Sequence, residues 1–172
     1  MHRFTRVLSP ILAAGAMITC AHAQTPPVRQ QLDVNLFKDG HQIAMGSTII
    51  ADEISGKIPF VVSSGTHVGY GTCSKVGNTT TLKSEDLFVG RAMVISPVEI
   101  DGTRANLSVS VQDTEFAGKH ESGPSDCRSE TVDSKGLKVA NINVDIADGQ
   151  TVEVPLGDAH YRLVLKLHDV NL

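Results

Sequence analysis

Arg104-Ala105-Asn106-Leu107-Ser108-Val109-Ser110-Val111-Gln112 follows the pair Asp101-Gly102 and an apolar run over residues 88–100, and the reading of this stretch decides the fold. Ala105, Leu107, Val109 and Val111 alternate with Asn106, Ser108 and Ser110, the two-residue period of a pleated strand with one buried face. Asp-Gly favours the positive φ angles of a tight hairpin turn, so the two runs are expected to fold back on each other. The same grammar recurs on both sides. Leu32, Val34 and Leu36 alternate with Asp33, Asn35 and Phe37, and Lys38-Asp39-Gly40 turns the chain into residues 42–45. Strands are expected at residues 58–62, 67–76 and 79–82, divided by Ser63-Ser64-Gly65 and Gly77-Asn78. Toward the C-terminus residues 137–146 alternate, Asp148-Gly149 turns, Val152 and Val154 continue, and Tyr161, Leu163, Leu165 and Leu167 share one face.

No window of a dozen residues repeats with the 3.6-residue period of a helix, and Val, Ile and Thr dominate the periodic segments, as pleated strands favour. Many short antiparallel strands in one chain predict an all-β fold, an antiparallel β-sandwich, with a barrel as the alternative closure.

The N-terminus has the three parts of a signal peptide. Arg3 and Arg6 precede an apolar run over residues 7–20, and Ala21-His22-Ala23 supplies the small residues of a cleavage site before Gln24. Residues 1–23 are therefore read as a signal peptide, residues 24–31 with Pro26-Pro27 as a flexible arm, and residues 32–172 as one β-domain. Met17-Ile18-Thr19-Cys20 resembles a bacterial lipobox, but Thr19 stands where that motif has Gly, Ala or Ser, so Cys20 is expected to leave with the signal. No later segment approaches the 18 to 20 or so apolar residues of a spanning helix, so no transmembrane segment is expected after cleavage. The implied location is the periplasm or beyond.

Loss of Arg3 and Arg6 lowers Lys plus Arg from 15 to 13 against 19 Asp plus Glu, a mature net charge of −6 with His neutral. Nucleic acid and anionic membranes, which bind through clustered Lys and Arg, are poor partners for such a chain. Cys73 and Cys127 remain after cleavage, and in an oxidising compartment they are expected to form a disulfide. They form no Cys-x-x-Cys pair of the redox or zinc kind.

Five histidines remain, His41, His67, His120, His160 and His168, none spaced as metal ligands, so no metal site or cofactor is assigned. His120-Glu121 with Asp126 is where a metal would be sought first. Gly-x-Ser-x-Gly and Ser-x-x-Lys are both absent, and no catalytic residue is assigned. The doublets Asp52-Glu53 and Glu85-Asp86 are read as solvated turns rather than acid–base pairs, since adjacent strand residues point to opposite faces. Residues 116–134, rich in Gly, Ser and charge and without apolar period, are expected to form a long loop pinned by Cys127. Glu115, Lys119, His120, Glu121, Asp126, Arg128 and Glu130 are the candidate recognition residues on and beside it.

Residues 89–102, from Val89-Gly90-Arg91 to Ile100-Asp101-Gly102, and residues 148–156, Asp148-Gly149-Gln150-Thr151-Val152-Glu153-Val154-Pro155-Leu156, resemble the strand and turn phrasing of the β-domain of bacterial secretins, which are outer-membrane export pores. The glycine-rich ending of the secretin motif is missing. The whole layout is similar to small secreted or periplasmic β-proteins of Gram-negative bacteria, some of them seroreactive antigens, which implies envelope exposure and supplies no reaction. The expected function is a non-enzymatic exported scaffold that presents loops to an envelope or host protein. A periplasmic carrier of a metal or small ligand and a small periplasmic enzyme are the alternatives.

Overall fold

A computed structural model describes residues 29–51, 58–101 and 103–170. The expected signal peptide and most of the expected arm lie outside the described residues. Eight strands follow in order: β1 (Arg29–Lys38), β2 (His41–Ala51), β3 (Phe60–Val76), β4 (Thr79–Asp101), β5 (Arg104–Ser122), β6 (Ser129–Ala147), β7 (Thr151–Val154) and β8 (Tyr161–Asp169). They form two four-stranded antiparallel sheets, β2-β1-β8-β7 and β3-β4-β5-β6, which do not close into a barrel. The fold is the expected antiparallel β-sandwich.

Each sheet turns its apolar face to the other. Leu32, Val34 and Leu36 of β1 and Leu163, Leu165 and Leu167 of β8 are almost fully buried, as are Met93 and Ile95 of β4, Leu107, Val109 and Val111 of β5 and Ile146 of β6. Each such side chain removed from water contributes about 1.5–3 kcal/mol, which makes this layer the main source of stability. The first hairpin turns as expected, with Asp39 at φ 50° and Gly40 at φ 79°. At the fourth-to-fifth strand turn Asp101 belongs to the strand and pairs with Arg104, and Gly102 lies outside the described residues.

Bulges reset the phase of the long strands. The register of β4 on β5 shifts between Pro97 and Glu99, and Pro97, which has no N–H for a ladder, sits at that irregularity. On β6 the inward series runs Leu137, Val139 and then Ile142, Val144, Ile146, with Val139 and Ile142 half-buried, because Asn141 at φ 58° inserts an extra residue and donates its N–H to Ser110 Oγ at 3.1 Å.

Three expectations need correction. Residues 60–76 are one strand, so Ser63-Ser64-Gly65 is no turn, and residues 79–101 are likewise one strand of 23 residues. Residues 116–134 are no long loop: β5 continues to Ser122, β6 begins at Ser129, and only residues 123–128 connect them. Finally, β1 opens at Arg29, with Gln30 buried and paired to Ile50 and Asp169, so residues 29–31 are strand rather than arm.

Candidate functional site: a disulfide-tied fork

The second sheet splits. β4 and β5 pair from Asp101 and Arg104 as far as Arg91 and Asp113, then separate, while β3 stays paired to β4 out to Val76 and β5 to β6 out to Ser122. Two polar hairpins, residues 66–89 and 115–135, thus extend beyond the sandwich.

The split is built by glycine and by side chains that stand in for the lost ladder. Gly90 has φ 140°, and a Cβ there would lie 2.5 Å from the Gly65 Cα and the Ser64 oxygen; at Gly136, φ 119°, it would lie 2.3 Å from the Asp113 oxygen. Where β5 turns away, Gln112 Nε2 donates to the Phe88 oxygen at 3.0 Å, and the Gly90 N–H donates to Thr114 Oγ1 at 3.3 Å. Groups that β5 backbone would have satisfied therefore keep partners.

Just below, Asp113 gathers charge from both sheets. Its carboxylate accepts from Arg91 Nε at 3.1 Å, from Lys38 Nζ at 3.2 Å and from the Tyr161 hydroxyl at 2.8 Å, while Arg91 also donates to the Ile43 oxygen at 2.7 Å. Burial would raise the Asp113 pKa, but the hydrogen bonds from Tyr161 and Lys38 and the charge of Arg91 outweigh it and hold the carboxyl below its ordinary value. The hydrogen bonds to Tyr161 and Asp113 in turn push the Lys38 ammonium well above its ordinary value. This cluster is an inter-sheet tie at the root of the fork.

Farther out, the free edge of β3 turns toward the second hairpin. The Gly71 N–H donates to Glu130 Oε2 at 3.2 Å, the Cys73 N–H donates to Ser129 Oγ at 2.9 Å, and Lys119 Nζ donates to the Gly69 oxygen at 2.5 Å. Cys73 and Cys127 form a disulfide with Cα atoms 5.4 Å apart, as expected from the sequence, and Lys75 pairs with Asp126 beside it. Between the hairpins Tyr70, Thr72, Glu85 and Leu87 face Glu130 and Val132 across a cavity of about 340 Å³. The Tyr70 hydroxyl donates to Glu85 at 3.0 Å.

All seven candidate recognition residues lie on this fork: Glu115, Lys119, His120 and Glu121 on β5, Asp126 and Arg128 in the connection, and Glu130 on β6. The structure places five of them on paired strands and Asp126 and Arg128 in the short connection, and each of the seven lies within salt-bridge distance of a partner. Glu115 meets Lys135 at 3.8 Å, Lys119 meets Glu130 at 3.5 Å, His120 meets Asp133 at 2.9 Å and Glu121 meets Arg128 at 2.9 Å. Glu121 and Glu130 are direct cross-strand neighbours, and their repulsion is relieved because each holds a cation of its own. Sequence reasoning assigned no recognition residue to the other half of the fork, residues 66–89, although it expected strands at 67–76 and 79–82 and the Gly77-Asn78 turn between them.

A second cavity, about 480 Å³, opens at the opposite end of the sandwich beside Glu99, Asp101, Arg104 and Asp145. Among the described residues no group of three His, Cys, Asp or Glu is placed to hold a metal ion, and His120, Glu121 and Asp126 are each turned to a different partner. His67 pairs with Asp86 and His160 with Asp39, both at exposed positions. No helix among the described residues is long and apolar enough to cross a membrane.

No family model matches the chain, and no curated protein does. Among solved structures it is similar to the InvG secretin domain β-barrel from the Salmonella SPI-1 injectisome NC-base, with a TM-score of 0.32 and 7% identity over 85% of this chain and 61% of that one. At that TM-score the likeness assigns no function. What the coordinates define is a class, a disulfide-tied antiparallel β-sandwich with a forked polar extension.

Proposed function

We propose that this protein is a non-enzymatic exported envelope protein that recognises a partner protein through the fork. The observation that carries this reading is the exposure of the fork set against the cross-links between its two hairpins. Of residues 66–89 and 115–135, Val89 and Cys127 alone are buried, so hydrophobic packing does not hold the two hairpins together. A disulfide, inter-hairpin hydrogen bonds and ion pairs do, and exposed ion pairs contribute only about 0–1 kcal/mol each. Restraint of a surface that contributes little to stability favours binding, because a pre-ordered surface loses less entropy when a partner docks. The fork carries five Lys and Arg against seven Asp and Glu, a mixed surface that suits a protein better than a nucleic acid. Export and a periplasmic or secreted location are part of the same proposal, supported by the disulfide.

A photo-crosslinking amino acid at Leu82 and at Glu121, both exposed on the fork, is compared in intact cells with one at Glu153 on the sandwich. The expected result is a protein captured from the two fork positions and lost when Glu115, His120 and Arg128 are changed together to Ala. Capture from Glu153 alone, or capture unaffected by the triple change, overturns the proposal.

A further inference from the structure

The strand edges of this fold are not alike. β7 is only four residues long; the distal edge of β3 is capped by Ser129, Glu130 and Lys119; and β6 carries the Asn141 irregularity together with Asp133, Lys135, Lys138 and Asp145. Short length, caps, bulges and charges are the devices that keep an edge from pairing with another chain. β2 is neither short nor charged, and its irregularity and its one capped acceptor, the Ile43 oxygen that takes a hydrogen bond from Arg91, both lie at its hairpin end. His41–Ala51 reads His-Gln-Ile-Ala-Met-Gly-Ser-Thr-Ile-Ile-Ala, eleven residues without Asp, Glu, Lys, Arg or Pro, and among the described residues it pairs with β1 alone. Its one register shift lies at the hairpin end, which leaves residues 44–51 as a regular run. Met45 and Ile49 point away from the core, 72% and 48% exposed, while their cross-strand neighbours on β1 are the polar Asn35 and Gln31. An edge of regular main-chain donors and acceptors flanked by apolar side chains is matched by another extended strand.

We propose that β2 pairs antiparallel with β2 of a second copy of this chain, about a two-fold axis at Ser47, to join two four-stranded sheets into one of eight strands. Charge selects the copy. The exported chain is expected to carry a net charge of −6, so two copies meet at least electrostatic cost where neither brings an acidic group, and β2 brings no Asp, Glu, Lys or Arg to the contact. The register follows from the side chains: an axis at Ser47 sets Met45 of each copy against Ile49 of the other, covering both apolar residues twice over. Such a contact uses the same strand on both copies and closes on itself, so it stops at a dimer. It leaves the fork free and stands or fails separately from the function proposed above.

Sedimentation equilibrium of the chain purified after export tests the contact. The native sequence is expected to show twice the monomer mass, and the M45K/I49K variant the monomer mass with unchanged thermal unfolding, since both side chains are exposed. Ser47→Cys, which puts each thiol beside its own copy, is expected to give a disulfide-linked dimer on a non-reducing gel, whereas Gln42→Cys is not. A monomeric native chain, a dimer that persists in M45K/I49K, an assembly larger than a dimer, or equal crosslinking from both cysteines overturns the proposal.

Discussion

The Tyr161 hydroxyl on β8 donates to Asp113 Oδ2 on β5 at 2.8 Å, joining the two sheets at the point where β4 and β5 part. With Lys38 and Arg91 on the same carboxylate, whose side chain is only 12% exposed, the fork is anchored by charge as well as by packing.

Asp113→Asn is therefore expected to lower stability by about 2 kcal/mol near neutral pH, the scale of a lost charge-assisted hydrogen bond in a sheltered place. The folded-state pKa of Asp113 is depressed, so its contribution is present above the unfolded value of about 3.9 and is lost as pH falls through the lower folded value. Urea unfolding of the native and variant chains should show their difference shrinking as pH drops below about 4. A difference that widens there would contradict the assignment.

His160 and Asp39 form a latch between two loops. The imidazole Nδ1 lies 2.7 Å from Asp39 Oδ1, and the Asp39 N–H donates to the His160 oxygen at 2.8 Å. The hydrogen bond to Asp39, then its charge and that of Asp158, raise the His160 pKa. The link is accordingly fully formed below the ordinary value of about 6.5 and is lost as pH rises through the raised folded value. An NMR titration should place the His160 midpoint above that of a free imidazole, and Asp39→Asn should bring it down.

Loss of the disulfide should loosen the fork and spare the sandwich. Cys73 and Cys127 are 54 residues apart, a separation for which the chain-entropy account gives about 4 kcal/mol of stabilisation. In the Cys73→Ser/Cys127→Ser variant, hydrogen exchange over residues 66–89 and 115–135 is expected to approach that of free hairpins. Amides around Leu107 and Leu165 should stay protected. Uniform loss of protection would show that the fork and the sandwich unfold as one unit.

At the fork's root Gly136→Ala is expected to cost about 1–3 kcal/mol, because its φ of 119° strains any L side chain and the new Cβ would meet Asp113 backbone. Gly71→Ala, on the same fork but with open space around it, is the control and should be nearly silent in thermal unfolding.

The sequence by itself determined the sandwich core, several turns and the covalent tie. Alternation at Leu32, Val34, Leu36 and at Leu163, Leu165, Leu167 reports one buried face directly, Asp39-Gly40 and Gly77-Asn78 announce their reversals, and the two cysteines outside the expected signal peptide leave a single intrachain pairing. Tertiary structure alone decided how far the strands run and where the second sheet divides. Residues 116–122 and 129–134 looked like loop because hydrophobic alternation records burial, whereas a hairpin is held by main-chain hydrogen bonds that need no apolar face. The inserted residues near Val98 and Asn141 shift the inward phase within a strand, which no fixed two-residue reading follows. The meeting of β3 with β6 depends on backbone donors at Gly71 and Cys73 finding Glu130 and Ser129 more than 50 residues away, a match fixed by how the second sheet divides and twists and not by any local pattern.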